Sequence, residues 1–152
     1  MYLTLMLDDE HYADPYYQVC ETEVEGFEIF KKWNNEDYGE YFEERNRFGW
    51  TDDFSDEHRF AVCEVYKLND KPYVLIWWHA YNGVDFSIKQ FDTFEEANAA
   101  MRAEADNIYI DEADVEACVN EPITPDDWSG IVDDGYEWNC WQIVERSELC
   151  ST

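Results

Sequence analysis

The sequence predicts an α+β fold in which an antiparallel β-meander of about four to five strands packs against two to four helices. Three observations carry that expectation. Arg59–Leu68 (RFAVCEVYKL) and Pro72–Ala80 (PYVLIWWHA) are rich in β-branched and aromatic residues and are separated by polar, turn-forming residues. Val84–Phe91 follows Asn82-Gly83, a dipeptide suited to a two-residue hairpin turn. Beyond it, Phe94, Ala97, Met101 and Ala105 recur at the spacing of one helical face.

Taken in order, Tyr2–Leu7 reads as a strand, and Glu23–Trp33 as a helix with Phe27, Phe30 and Trp33 on one side. Glu36–Arg47 reads as a second helix weakened by Gly39, and Gly49–Glu57 as a loop. Residues 59–91 then form a three-stranded antiparallel meander, with Asn69-Asp70-Lys71 as the hairpin connection between its first two strands. Residues 74–78 (VLIWW) are apolar at every position, which places that strand centrally with both faces covered. Thr93 is the expected N-cap of the next helix, with Glu96 three residues on in the capping-box position. A further helix is expected over Glu112–Val119, burying Val115, Cys118 and Val119. Thr124-Pro125 offers an N-cap and an N1 proline before Trp128. Asp133-Asp134-Gly135 reads as a turn and Tyr136–Glu145 as a last strand. No internal repeat is visible in the letters. The expected organisation is one domain over residues 1–152, with a separate N-terminal lobe as the alternative.

Composition narrows the function. The chain has 152 residues, 37 acidic against 10 basic, for a net charge of −27. Hydrophobic residues make up 45% and aromatic residues 18%, unlike a disordered acidic tail. No apolar run reaches the roughly 18 residues a membrane helix needs, and Met1–Asp8 does not read as a signal peptide. A folded domain in the cytoplasm is expected. The five cysteines (Cys20, Cys63, Cys118, Cys140 and Cys150) are odd in number and widely spaced, which suits free thiols better than disulfides.

Twenty-seven charges equal those of about 46 Å of duplex DNA. Such a field repels nucleic acid and anionic membranes and steers basic proteins toward the chain. Along the sequence, residues 59–91 are nearly neutral, with 3 acids and 4 bases, while 1–58 hold 17 acids and 4 bases. The expectation is therefore a continuous acidic surface built by two arms, 1–58 and 92–152, around a central neutral sheet. A partner-binding surface is expected to draw on Glu36, Asp37, Glu40, Glu43 and Glu44 in the first arm, followed by Asp52, Asp53, Asp56 and Glu57. In the second arm it draws on Asp111, Glu112, Asp114 and Glu116, then Asp126, Asp127, Asp133 and Asp134. On helices, Glu36/Glu40, Glu40/Glu44 and Glu112/Glu116 would set like charges four residues apart, at a cost of roughly 0.2–0.5 kcal/mol each. A sequence shaped for stability alone would interleave lysines there, so the charge reads as serving a binding role.

Catalytic chemistry finds little support. A Cys63/His79 nucleophile–base pair on adjacent strands is conceivable, but no local pattern favours it. Choosing two of 37 acids as a glycosidase pair has no discriminating power. The clusters Asp52/Asp53/Asp56/Glu57/His58, Asp111/Glu112/Asp114/Glu116 and Asp133/Asp134 do not fit the spacing of a calcium-binding loop. Six scattered glycines make no phosphate-binding loop, so neither metal nor cofactor is expected.

In size, charge and aromatic content the chain resembles the anti-restriction and anti-CRISPR proteins of phages and mobile elements, several of which are DNA mimics. The resemblance lies in composition and carries no motif. It implies a non-catalytic inhibitor whose carboxylates replace phosphates in the basic groove of a defence nuclease, acting as a monomer or dimer. The alternative is an acidic domain of salt-adapted or housekeeping type with no basic partner.

Overall fold

The computed structural model describes residues 1–8, 15–37, 48–52, 58–80, 85–108, 121–133 and 138–149. The class is α+β, as expected. The chain divides into two compact units, Met1–Asn69 and Asp70–Thr152.

The first unit contains β1 (Tyr2–Asp8), β2 (Tyr16–Cys20), α1 (Glu23–Asp37), β3 (Phe48–Asp52) and β4 (His58–Lys67). Its strands form an antiparallel sheet in the order β2-β1-β4-β3. The second unit contains β5 (Tyr73–Ala80), β6 (Asp85–Phe91), α2 (Phe94–Asp106), β7 (Ser129–Asp133), β8 (Trp138–Glu145) and the short α3 (Arg146–Leu149). Its antiparallel sheet runs β6-β5-β8-β7. The two units therefore share one topology, a ββαββ module used twice.

The repetition extends to register. Tyr2 faces Cys20 on one side and Lys67 on the other; Tyr73 faces Phe91 and Glu145 in the same way. From Tyr2 to Tyr73, Cys20 to Phe91 and Thr22 to Thr93 the shift is 71 residues each time. Both threonines start a helix. The Thr22 hydroxyl accepts from Glu25 N at 3.1 Å and the Thr93 hydroxyl from Glu96 N at 3.2 Å. In α1 the Glu25 carboxylate also accepts from Thr22 N at 3.3 Å and Glu21 N at 2.9 Å, completing the reciprocal box.

Each helix lays one face on its own sheet. In the first unit Phe30 is buried with Met6 and Cys63, and Phe27, Ile29 and Val65 pack against them. In the second, the expected stripe is present: Ala97 and Met101 join Leu75, Val132, Trp141 and Ile143, with Phe94 and Ala105 at the margin. The central strand β5 is buried at Val74, Leu75, Ile76 and Trp78, so the all-apolar run does mark a strand covered on both faces.

The expected meander over 59–91 does not form. β5 and β6 pair, but β4 pairs with β1 and β3 and not with β5. The 69–71 segment links two sheets and is no hairpin. Leu68 N donates to Met1 O at 3.0 Å, and Pro72 O accepts from Arg146 N at 2.8 Å, so its two ends are tied into different sheets. Strand character was legible from residue type, whereas the partner depended on which long apolar strand offered the better match.

Other expectations are corrected locally. The loop expected over Gly49–Glu57 gives way at its start to the edge strand β3, Phe48–Asp52, and residues 53–57 lie outside the described residues. Thr124-Pro125 does not open a helix; it sits in a turn leading to β7. Asp127 Oδ2 accepts from Thr124 N at 2.6 Å, and the carbonyls of Thr124 and Asp127 are taken by Asn98 Nδ2 at 3.1 and 2.7 Å. Carbonyls bound to another element favour the turn over helix propagation. β2, β7 and α3 were not anticipated. The helix expected over Glu112–Val119 and the Asn82-Gly83 turn lie outside the described residues.

Candidate interaction surface

The acidic surface depends first on how the charge divides between the units. Met1–Asn69 carries 18 acids and 6 bases, and Asp70–Thr152 carries 19 and 4. The picture of two acidic arms around a neutral central sheet is thereby corrected. The near-neutral residues 59–91 contribute β4 to one sheet and β5–β6 to the other, and each unit holds its own acidic excess.

Of the carboxylates singled out by sequence, Glu36 and Asp37 close α1 and Asp52 closes β3. Glu40, Glu43, Glu44, Asp53, Asp56 and Glu57 lie outside the described residues, as do Asp111, Glu112, Asp114, Glu116 and Asp134. Asp126 is exposed on the turn before β7. Asp127 is half-buried beside it and holds that turn through Thr124 N, which makes it a structural acid. Asp133 ends β7, half-buried, where its charge adds to burial in pushing the Cys140 thiol up to about 12.

The surface expected from sequence leaves out the acids at the helix entries, with Glu96 assigned there to the capping box alone. Glu21, Glu23, Glu25 and Glu28 are exposed at the start of α1, and Asp92, Glu95 and Glu96 at the start of α2. Acids in a first turn are stabilised by the positive end of the helix dipole, by about 0.3–1 kcal/mol. Two positions recur in both units: Glu21 with Asp92, and Glu25 with Glu96. The pattern acid-Thr-x-x-Glu, at Glu21 and again 71 residues later at Asp92, was the signal that could have exposed both the duplication and these acids.

Not every acid is available to a partner. Glu104 on α2 is held twice, by Lys89 Nζ on Oε1 at 2.6 Å and by Trp141 Nε1 on Oε2 at 3.0 Å. It satisfies a buried indole, and its lysine partner is more than half exposed, so the ion pair contributes little beyond that.

Aromatic residues complete the surface. Trp128 is 42% exposed and stacks on Phe94 with ring centroids 4.3 Å apart. On the first unit, Tyr16 and Tyr17 of β2 are exposed to a similar degree. Exposed Trp and Tyr are the side chains that most often anchor protein interfaces.

The Cys63/His79 pair that the sequence allowed is not assembled. Cys63 and His79 do not lie on neighbouring strands: Cys63 faces Met6 across β1–β4, and His79 faces Asn139 and Asp85 in the other sheet. The Cys140 thiol is buried and stays protonated near neutrality, which is the opposite of an activated nucleophile. Among the described residues, no group of three or more His, Cys, Asp or Glu side chains is placed to hold a metal ion. Among them, too, no helix is long and apolar enough to cross a membrane.

Compared with known protein families, with curated proteins and with solved structures, the chain matches none.

Proposed function

We propose that this protein is a non-catalytic inhibitor that binds the basic nucleic-acid-binding surface of a bacterial defence nuclease, a CRISPR effector or a restriction system, by presenting carboxylates in place of phosphates. The observation that carries the reading is the net charge of −27 on a folded chain, with an acidic excess in each of two like modules. Arginine and lysine in a nucleic-acid groove pair with carboxylates through charge-assisted hydrogen bonds, bidentate for arginine. Occupying the groove excludes nucleic acid sterically, so no bond need be made or broken. The site of action is the cytoplasm of the host cell, where such nucleases work.

The test is a binding titration against candidate defence nucleases at increasing ionic strength, followed by competition with DNA. Affinity should fall steeply with salt, because exposed charges are screened over roughly 8–10 Å at 0.1–0.15 M, and DNA should displace the protein. Salt-independent binding, or a ternary complex with DNA, sinks the proposal. A chain that unfolds below molar salt would instead favour salt adaptation.

A further inference from the structure

The rings around Trp128 form a group that charge mimicry alone leaves unused. Trp128 and Phe94 stack at 4.3 Å with 32° between their planes. Tyr73 closes the group, 6.2 Å from Trp128 and 6.3 Å from Phe94. The platform is fixed from beneath, because Tyr73 and Phe94 pack against the core of the second unit. It is also fixed from the side. Asn98, itself buried, takes the carbonyls of Thr124 and Asp127, its Oδ1 accepts from Arg102 Nε at 2.6 Å, and Trp128 O accepts from Ile143 N at 2.7 Å. A large indole is thus held partly in solvent by elements that give it little freedom, so binding to it would cost little ordering entropy.

Within two positions of Tyr73, Phe94 or Trp128 along the chain, five acids stand against one base, the exposed Lys71. Asp92, Glu95, Glu96 and Asp126 are exposed, and each lies within two residues of Phe94 or Trp128 along the chain. An aromatic face attracts cations through its quadrupole, and flanking carboxylates add to that attraction. An apolar occupant would strip water from those carboxylates without pairing them. A lysine ammonium is a compact, strongly hydrated charge, whereas a guanidinium is planar, stacks flat on an indole and keeps its edge free to donate to a carboxylate.

We propose that the Trp128–Phe94–Tyr73 platform receives an arginine side chain of the partner protein. The inference rests on the charge-mimic reading, to which it adds the chemical identity of one anchor residue on the other side of the interface.

The experiment titrates the full chain with two peptides of equal length and charge, one arginine-rich and one lysine-rich, at low ionic strength. The wild-type chain should prefer the arginine peptide. Trp128→Leu, which keeps an apolar contact on Phe94 but removes the π face, should reduce that preference by roughly three- to tenfold. Val24→Ala, at an exposed apolar residue of the other unit, should leave it unchanged. In the wild-type chain, where folding is not in question, NMR should show the Trp128 indole N–H shifting on addition of the arginine peptide while that of buried Trp141 stays in place. An arginine preference that is absent in the wild type or survives Trp128→Leu, or a Trp128 resonance that does not move, overturns the inference and leaves the charge reading standing. Failure of both peptides to bind the wild-type chain overturns the two together.

Discussion

Where α1 meets its sheet the contact residue is Gly26; where α2 meets its own, 71 positions later, it is Ala97. A Cβ on Gly26 would stand 2.6 Å from Thr4 Oγ1 and 2.8–2.9 Å from both methyls of Val65. Those neighbours are β-branched and stiff about χ1, so they cannot easily yield. Ala97 is fully buried without such a clash, and Met101 fills the position held by Phe30 in the first unit. The same topology is thus reached with different residues at the helix–sheet contact, Gly26 with Phe30 in one unit and Ala97 with Met101 in the other. What repeats between the units is the capping threonine, the acid before it and the glutamate after it. The core residues do not repeat, because volume has only to be conserved locally.

The largest expected difference between the units concerns these core residues. Phe30→Ala should cost about 3–5 kcal/mol and Met101→Ala about 2–5 kcal/mol. Native-state hydrogen exchange should place each loss in the amides of its own unit. If Phe30→Ala lowers protection equally in β5 and β8, the units are not separate packing modules.

A second difference lies in a thiol. Cys140 faces Trp78 in the second unit, where the first has Val62 facing Leu7. Burial and the charge of Asp133 raise the Cys140 thiol from an ordinary 9.0 to about 12. Between those values the unfolded chain has lost this proton and the folded chain keeps it, so stability should fall as pH rises from about 9 to about 12. Below pH 9 the group contributes no pH dependence. Chemical denaturation across this range should show the fall, and Cys140→Val, borrowing the residue of the other unit, should flatten it. Identical slopes for both proteins would refute the assignment.

The helix contact itself gives a smaller effect in the first unit. Gly26→Ala gains about 1 kcal/mol of helix propensity but overpacks Thr4 and Val65 at a typical cost of about 1–3 kcal/mol. A net loss of about 1 kcal/mol is expected, read as a lower denaturation midpoint. A stabilised Gly26→Ala protein would mean that α1 can move outward freely.

The smallest expected contrast is in the caps. Thr22→Ala and Thr93→Ala should each cost about 1 kcal/mol. The loss should be larger by a few tenths at Thr22, where Glu25 returns a bond to the backbone. Equal losses by thermal melting would show that the reciprocal bond contributes nothing in water.

Much of the fold was legible because its signals are local. The Thr93 cap, the Phe94–Ala105 stripe and the all-apolar run at 74–78 each depend on a few neighbouring residues and appear as read. The short edge strands were not legible: Phe48–Asp52 contains Gly49 and a polar end, and Ser129–Asp133 contains Gly130. Both are strands because β4 and β8 present them with a ladder to complete. For the candidate surface, the sequence supplied the sign and size of the charge but drew attention to runs of acids. The acids at the helix entries are interspersed with threonine and apolar residues (ETEVEGFE, DTFEE), and the Trp128 platform joins three residues spread over 55 positions, from Tyr73 to Trp128.

By itself the sequence determined the class of the fold, the central strand β5, the helix starts and the net charge of −27. These follow from periodicity, capping and composition, which act over short range or over the whole chain. Only the tertiary structure decided that β4 and β5 belong to different sheets and that the acidic excess is divided between two units. Strand pairing is chosen by comparing partners distant in the chain, and no local pattern contains that comparison.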